Sequence, residues 1–223
     1  MKTSAQRKLK PYKGMAMEGM IATWYARNTK KSIAEFRNLA KRIADRLRPG
    51  DHVLELAPGP GYLAIELARL GPYRIVGLDV SRTFVRIARE NAARARVDVD
   101  FQEGDAAALP FAADTFDFIA CRAAFKNFSN PIGALSEMHR VLRSGGQATI
   151  IDMRNDASNQ SIVDEVAKMH LGRIDAFITR STLSALRRRA YSKLEFERMA
   201  QGTAFGRCDI IEQPLGFEVT LLK

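Results

Sequence analysis

Glu55, Gly59, Gly61 and Asp79 are the residues whose types and spacing first suggest chemistry. The glycines lie in the turn Val53-Leu-Glu-Leu-Ala-Pro-Gly-Pro-Gly61, which leads from an apolar run into a helical pattern. Glycine permits a tight turn there and a close approach of a ligand to the backbone. Asp79 follows at about the 20-residue spacing at which a carboxylate takes ribose hydroxyls. The pattern predicts a nucleoside-binding turn.

The same turn permits two kinds of ligand. Gly59-Pro-Gly61-Tyr-Leu-Ala64 also satisfies the dinucleotide pattern G-x-G-x-x-A. A dinucleotide places its pyrophosphate at this turn, and a carboxylate at Glu55 would repel that anion. A ligand with a cationic amino-acid end and a nucleoside end would instead be attracted by Glu55, with the glycine N–H groups for its carboxylate and Asp79 for its ribose. The charge at Glu55 favours the second kind.

The elements that must position these residues alternate along the chain. Amphipathic helical patterns separate five strand-like runs, at 52–56, 73–79, 97–101, 115–121 and 147–152. Such alternation predicts an α/β protein with a parallel sheet covered on both faces. A sheet of this kind binds ligands beyond the carboxyl ends of its strands, where Glu55 and Asp79 lie.

The pattern changes after residue 152. Three helical segments are expected within 156–200, and the runs Cys208–Glu212 and Gly216–Leu222 predict a terminal hairpin. Capping boxes predict helix starts at Ser32 and Ser192, and Gly145-Gly146 is expected to end a helix. We interpret the chain as one domain, with a basic arm and lid or helix at 1–50, a ligand-binding core at 51–152, a helical insert as substrate cap at 153–205 and the hairpin at 206–223.

Four motifs in order resemble the class I S-adenosylmethionine-dependent methyltransferases, in particular the small-molecule type of ubiquinone and menaquinone biosynthesis. Residues 55–61 are similar to that family's E/D-x-G-x-G-x-G loop, with Ala57 in place of the first glycine. The other three are Leu78-Asp-Val-Ser81, Gly104-Asp-Ala106 and the Gly145-Gly146 turn with the strand after it. The resemblance implies a doubly wound, mostly parallel, seven-stranded Rossmann-like sheet, with N-terminal helices and a helical insert before the last two strands.

The resemblance also implies roles for individual residues. The cofactor would be S-adenosyl-L-methionine, with Asp79 on the ribose, Val80 against the adenine and Asp105 on the adenine amino group. Residues after the fourth strand would contact the acceptor, and residues before the first strand would close the site. The implied cofactor-binding residues are Glu55, Ala57, Gly59, Gly61, Asp79, Val80, Gly104, Asp105, Ala106 and Arg122, and the implied substrate or lid residues are Trp24, Tyr25, Phe125 and Lys126.

No catalytic residue is fixed by the sequence. Methyl transfer from a sulfonium is an in-line displacement that depends mainly on positioning, and a base is needed only when the acceptor must lose a proton. The weak candidates are His170, Lys126 and Asp152, because His52 and His139 are expected to be structural. No Cys/His spacing indicates a metal site.

Charge leaves two alternative functions open. Residues 1–50 carry 13 Lys/Arg and 3 Asp/Glu, which accounts for the net charge of +10 and would suit methylation of RNA or a protein. Nucleic acid is therefore a second, less favoured partner after a small-molecule acceptor. An NAD-type oxidoreductase or an inactive cofactor-binding module is the other alternative.

Two cysteines in apolar runs, and no run near the roughly 18 apolar residues of a bilayer span, favour a cytoplasmic protein with no membrane span. The acceptor, the atom methylated and the oligomeric state stay open.

Overall fold

The protein is described here by a computed structural model, which covers residues 12–13 and 17–223. Within these residues, seven strands and eight α-helices follow one another. The strands are β1 (His52–Leu56), β2 (Arg74–Asp79), β3 (Asp100–Glu103), β4 (Phe116–Arg122), β5 (Leu142–Met153), β6 (Asp209–Glu212) and β7 (Gly216–Leu222). The helices are α1 (Gly19–Thr29), α2 (Ile33–Ala44), α3 (Tyr62–Ala68), α4 (Arg82–Ala95), α5 (Pro131–Val141), α6 (Asn159–Lys168), α7 (Arg173–Arg187) and α8 (Lys193–Gln201).

The strands form one sheet in the order β3-β2-β1-β4-β5-β7-β6. Strands β1 to β5 pair in parallel, whereas β7 is antiparallel to both β5 and β6. This confirms the predicted mostly parallel seven-stranded sheet, the terminal hairpin and the three-helix insert before it. The strand order reverses between β1 and β4, so the carboxyl ends of these strands border the crevice in which such sheets bind ligands.

Helices cover both faces of the sheet, as the apolar strands require. One core lies between the sheet and helices α2, α3 and α4. The other lies between the sheet and helices α5 and α8. The second core is formed by buried side chains from both strands and helices, among them Phe116, Leu135, Met138, Phe196, Phe217 and Val219.

Arginines on helix α2 and in the turn after it attach this segment to the rest of the fold. Arg42 and Arg46 donate to the buried Glu218 on β7 at 2.9 and 3.3 Å. Arg37 donates to the buried Glu66 on α3 at 2.9 Å. Part of the basic excess of residues 1–50 therefore has partners inside the protein, which reduces the charge available to an anionic macromolecule.

The predicted helix start at Ser32 is confirmed, but its capping bond and two other element boundaries were predicted wrongly. Ser32 is the N-cap of α2 without a side-chain hydrogen bond, because a 3-10 turn over Lys30–Ser32 precedes the helix and already coils the chain there. Helix α5 ends at Val141 rather than at Gly145-Gly146, which lie within β5. Strand β3 begins at Asp100 rather than 97, because its start is set by pairing with Val76 of β2. The capping box at Ser192 is confirmed.

None of the helices in the described part of the chain is long and apolar enough to cross a membrane.

Candidate active site

The turn between β1 and α3 has an unusual backbone. Ala57, Gly59 and Gly61 have φ values of +53°, +55° and +78°, all in the left-handed region. At Gly61 a Cβ atom would lie 2.6 Å from Cζ of Phe101, so only glycine fits without movement. Ala57 adopts the same conformation with a Cβ atom present, which costs free energy. Three positions of the turn therefore have a conformation that favours glycine, and only two of them are glycine.

Glu55 lies one residue before the end of β1 and is 4% exposed. Its Oε2 atom accepts the N–H of Ala64 at 2.9 Å, which ties the strand to α3. Burial raises the pKa of Glu55 from 4.5 to about 8, because desolvation penalises the charged carboxylate. No ion pair among the described residues involves Glu55. The charge of the Arg122 guanidinium lowers this pKa only in part, so Glu55 is a buried acid with no ion-pair partner among the described residues.

This pKa corrects one step of the sequence argument. At neutral pH the carboxyl of Glu55 is mostly neutral, so it does not repel a diphosphate as a full charge would. An anion beside it would raise the pKa further, whereas an ammonium group would lower it and regain the charge. A cationic ligand is still preferred, because its ammonium group would restore the charge of Glu55 when it binds.

Asp79 ends β2 and is also buried. Its Oδ2 atom accepts the N–H of Gly59 at 3.0 Å, and its Oδ1 atom accepts the N–H of Ser81 at 2.9 Å. Burial raises its pKa from 3.8 to about 6. The expected free N–H donors are not present, because Gly59 donates to Asp79 and Gly61 donates to the carbonyl of Pro58.

The end of β3 lies beside Asp79, as the motif order predicted. Gly104 donates its N–H to the carbonyl of Asp79 at 3.0 Å, and a Cβ atom at Gly104 would lie 2.8 Å from Leu78. Asp105 accepts the N–H of Ala107 at 2.9 Å and so stabilises its own turn. Val80, Asp105 and Ala106 are half-buried. These residues form one side of the crevice.

Helix α1 covers the glycine turn. A Cβ atom at Gly59 would lie 4.0 Å from Cε1 of Tyr25, whose ring packs edge-on against Phe84 at 5.8 Å. Tyr62 donates to the carbonyl of Ala26 at 3.0 Å. Of the two predicted lid residues, Tyr25 lies over the turn, whereas Trp24 is 67% exposed.

Two contacts at the start of α1 were not found from the sequence. Ser81, expected only to cap α4, also donates its hydroxyl to the carbonyl of Met17 at 2.7 Å. The Glu18 carboxylate accepts from the backbone N–H and the hydroxyl of Thr83. The capping residue two positions after Asp79 was a usable signal for Ser81, but no sequence pattern indicated Glu18.

The residues after β4 are engaged within the protein. Lys126 and Asp152 form a buried ion pair of 2.7 Å, and the Lys126 ammonium also donates to the carbonyl of Ala123 at 2.6 Å. Arg122 pairs with Glu35 at 2.9 Å. Its guanidinium lies over a phenylalanine ring of α2, so it holds that helix.

Phe125 does not fit the predicted acceptor contact. It is fully buried, with its ring centroid 5.1 Å from that of Phe196 and 5.4 Å from that of Phe128. The sequence pattern after a strand does not show whether a side chain such as that of Phe125 faces the crevice or the core beneath it.

None of the three histidines lies at a strand end or turn that forms this crevice. His170 is exposed in the turn between α6 and α7, which does not support a role as base. His52 begins β1 at the opposite end of the strand, where its N–H donates to Asp117. His139 is half-buried on α5, with its ring edge-on to Phe205 at 4.9 Å.

Comparison with known proteins identifies the class. Residues 53–146 match a family model described as a methyltransferase domain. A demethylmenaquinone methyltransferase of Deinococcus radiodurans is 37% identical over 107 residues, which are 48% of this chain and 44% of that protein. A 2-phytyl-1,4-naphtoquinone methyltransferase of Synechococcus elongatus is 32% identical over 153 residues, 64% of this chain and 66% of that protein.

The fold is shared with solved structures. A SAM-dependent methyltransferase from Aquifex aeolicus superposes with a TM-score of 0.63 at 18% identity, over 85% of this chain and 97% of that chain. The chain carries a methyltransferase domain and has the fold of the S-adenosylmethionine-dependent methyltransferases. The first sequence matches span about half the length of the relatives, 44% and 46%.

Proposed function

We propose that this protein transfers a methyl group from S-adenosylmethionine to a small aromatic acceptor of the quinone type. The observation that carries the proposal is the pair of buried acids, Glu55 and Asp79, on either side of the glycine turn at the carboxyl ends of β1 and β2. The acceptor class is supported by the relatives, which are named for demethylmenaquinone and 2-phytyl-1,4-naphtoquinone.

The chemistry of the two acids fits this cofactor. Glu55 is buried without an ion-pair partner among the described residues, so an ammonium group beside it would restore its charge. Asp79 offers carboxylate oxygens that accept from hydroxyl donors, as the ribose of a nucleoside requires. When bound, the cofactor supplies a methyl group on a positively charged sulfur, which an electron-rich acceptor atom displaces in line.

The protein's contribution is mainly positioning and exclusion of water. Tyr25 of α1 lies over the glycine turn, and Glu55 and Asp79 beside this turn are buried. Water exclusion strengthens each charged contact in the crevice. The α1 contacts at Ser81 and Thr83 hold this cover in place.

The Lys126–Asp152 pair fixes the loop after β4. The Oδ1 atom of Asp152 accepts from the Lys126 ammonium and the N–H of Met153, and Oδ2 accepts the N–H of Lys126. Both carboxylate oxygens of Asp152 are therefore engaged by donors of the protein itself. We therefore assign the pair to positioning and assign no base.

We further propose that the insert, residues 153–205, borders the acceptor. It follows directly from β5, whose carboxyl end lies at the crevice. Tyr191 of the insert packs against Phe125 and accepts from the Lys13 ammonium at 2.6 Å, so the insert contacts both the β4 loop and the N-terminal segment. The acceptor side of the crevice is thus enclosed by segments outside the cofactor-binding strands.

Titration calorimetry with S-adenosylmethionine tests the cofactor, and mass spectrometry of naphthoquinols incubated with enzyme and cofactor tests the acceptor. We expect one binding site in the wild type and an affinity at least about tenfold weaker in Asp79→Ala, equivalent to about 1.4 kcal/mol. The matched control is Asp98→Ala, an exposed aspartate next to β3, which should bind normally. Binding of NAD in place of S-adenosylmethionine would refute the proposal.

A further inference from the structure

Helix α7 is unusual among the helices because none of its 15 residues is buried. Ile174, Phe177 and Ile178 are 77%, 65% and 55% exposed. Their spacing of three and four residues places them on one face of the helix. Met169 and Leu171, in the turn before the helix, are also exposed. Large apolar side chains grouped in this way indicate an interaction surface.

Helix α7 lies along α6 on one side, and hydrogen bonds hold its end. The Arg187 guanidinium donates to the carbonyl of Ala157 at 2.6 Å and to the side chain of Asn159 at 2.7 Å, at the start of α6. Helix α6 buries Ile162 and Val166, whereas α7 packs mainly on α6. The apolar face of α7 is thus presented on a hairpin rather than in the core.

Two arginines of α7, Arg173 and Arg180, line the same groove as Phe177. Residues 168–189 contain six Lys/Arg and one Asp, of which Lys168 pairs with Glu165 and Arg187 bonds the start of α6. Arg173 and Arg180 make no ion pair with any residue in the described ranges. An exposed apolar face bordered by arginines is the pattern of helices that lie in the interface of a bilayer with anionic lipids.

Two other occupants fit less well. Residues 1–11 carry four Lys/Arg and no Asp/Glu, so their charge has the same sign as the surface. A symmetric second copy would bring the same arginines against one another, which costs free energy. The charge therefore favours an anionic partner over both residues 1–11 and a second copy of the chain.

We propose that the α7 surface, made of Met169, Leu171, Ile174, Phe177 and Ile178 with Arg173 and Arg180, docks on membranes that contain anionic lipids. The apolar side chains enter the acyl boundary, and the arginines lie among the lipid phosphates. The proposal goes beyond methyl transfer, because it concerns where the protein resides when it acts and requires no particular acceptor.

Sedimentation with vesicles tests the proposal on the full chain. We expect the protein to bind vesicles of phosphatidylcholine with phosphatidylglycerol, and to bind phosphatidylcholine alone much less. Ile174→Ser/Phe177→Ser and Arg173→Gln/Arg180→Gln should each weaken binding to anionic vesicles about tenfold or more. Matched controls are Ile132→Ser, at an exposed apolar residue of α5, and Arg207→Gln, at an exposed arginine near β6, and both should bind as the wild type.

A fluorescence experiment locates the contact. Trp24 is the one tryptophan of the chain, so Trp24→Phe/Phe177→Trp carries a single probe on α7. Its emission should shift to shorter wavelength with anionic vesicles, while that of Trp24→Phe/Ile132→Trp should not. The proposal is overturned if the wild type does not sediment with anionic vesicles, if the α7 variants bind as well as the controls, or if the probe shows no shift. A dimer that the Ile174→Ser/Phe177→Ser variant dissociates would also overturn it, in favour of self-association.

Discussion

The Oδ2 atom of Asp79 accepts the backbone N–H of Gly59 at 3.0 Å, which joins the end of β2 to the turn after β1. The other oxygen accepts the N–H of Ser81 at the start of α4. One buried side chain therefore fixes two adjacent loops of the crevice. Asp79 thus has a structural role even without a ligand. Its structural role is measured by unfolding of the ligand-free protein, and its binding role by titration with the ligand.

Replacing Asp79 by alanine should destabilise the protein in the absence of ligand. The N–H groups of Gly59 and Ser81 would lose their acceptor in a buried place, which costs about 1–3 kcal/mol for each group that water does not reach. Urea unfolding measures the loss. The exposed control Asp98→Ala should change the free energy of unfolding by less than about 0.5 kcal/mol. Equal stability of the two variants would show that Asp79 does not hold the loops.

Glu55 should make the ligand-free protein less stable as pH rises. Its pKa is about 8 when folded and 4.5 ordinarily, so between these values the folded protein holds a proton that the unfolded chain releases. The stabilising proton is fully present below pH 4.5 and is lost by about pH 8. Between pH 4.5 and about pH 8, the free energy of unfolding of the wild type should fall on the order of a few kcal/mol more than that of Glu55→Gln.

Urea unfolding of both proteins near the two ends of this range checks the prediction. Comparison with Glu55→Gln removes the contribution of the other titrating groups. Parallel pH profiles for the two proteins would mean that Glu55 is charged in the folded state.

Binding of a ligand with an ammonium group should release a proton from Glu55 near neutral pH. The ammonium lowers the raised pKa of this carboxyl, so a group that was mostly protonated becomes charged. Calorimetry in buffers with different heats of ionisation measures the protons released. We expect release with S-adenosylmethionine in the wild type and markedly less in Glu55→Gln. Equal release in both would assign the proton to another group.

The positions of Glu55 and Asp79 at the edge of the sheet could be predicted from the sequence, because each position follows from a local pattern. A strand ends, a glycine turn or helix cap follows, and the parallel sheet brings both ends to one edge. The surroundings of Arg122 and Phe125 could not be predicted in this way. Arg122 bonds Glu35, 87 residues earlier, and Phe125 packs on Phe196 of the insert. Such contacts depend on tertiary packing, which periodicity does not encode.

Ala57 offers a direct test of the backbone of the turn. With φ of +53° its Cβ costs about 1–2 kcal/mol, and glycine removes that cost while adding about 0.4–1 kcal/mol of unfolded-state entropy. Ala57→Gly should therefore raise the free energy of unfolding by about 0.5–1 kcal/mol. The matched control Ala93→Gly, at an exposed position inside α4, should lower it by about 1 kcal/mol. Destabilisation by both substitutions would contradict the left-handed conformation at Ala57.

The buried Lys126–Asp152 pair should behave as one unit. Lys126→Met leaves a buried carboxylate without its cation, and Asp152→Leu leaves a buried ammonium, so each should cost about 3–5 kcal/mol. The double variant should cost clearly less than the sum, because neither charge is then left alone. Urea unfolding of the four proteins gives the coupling.

The exposed pair Arg86–Glu90 on α4 provides the reference cycle, with an expected coupling of about 0.3–0.5 kcal/mol. A coupling at Lys126–Asp152 no larger than this would mean that water reaches both charges. The loop after β4 would then be held by Phe125 packing alone, and the positioning role of the pair would be lost.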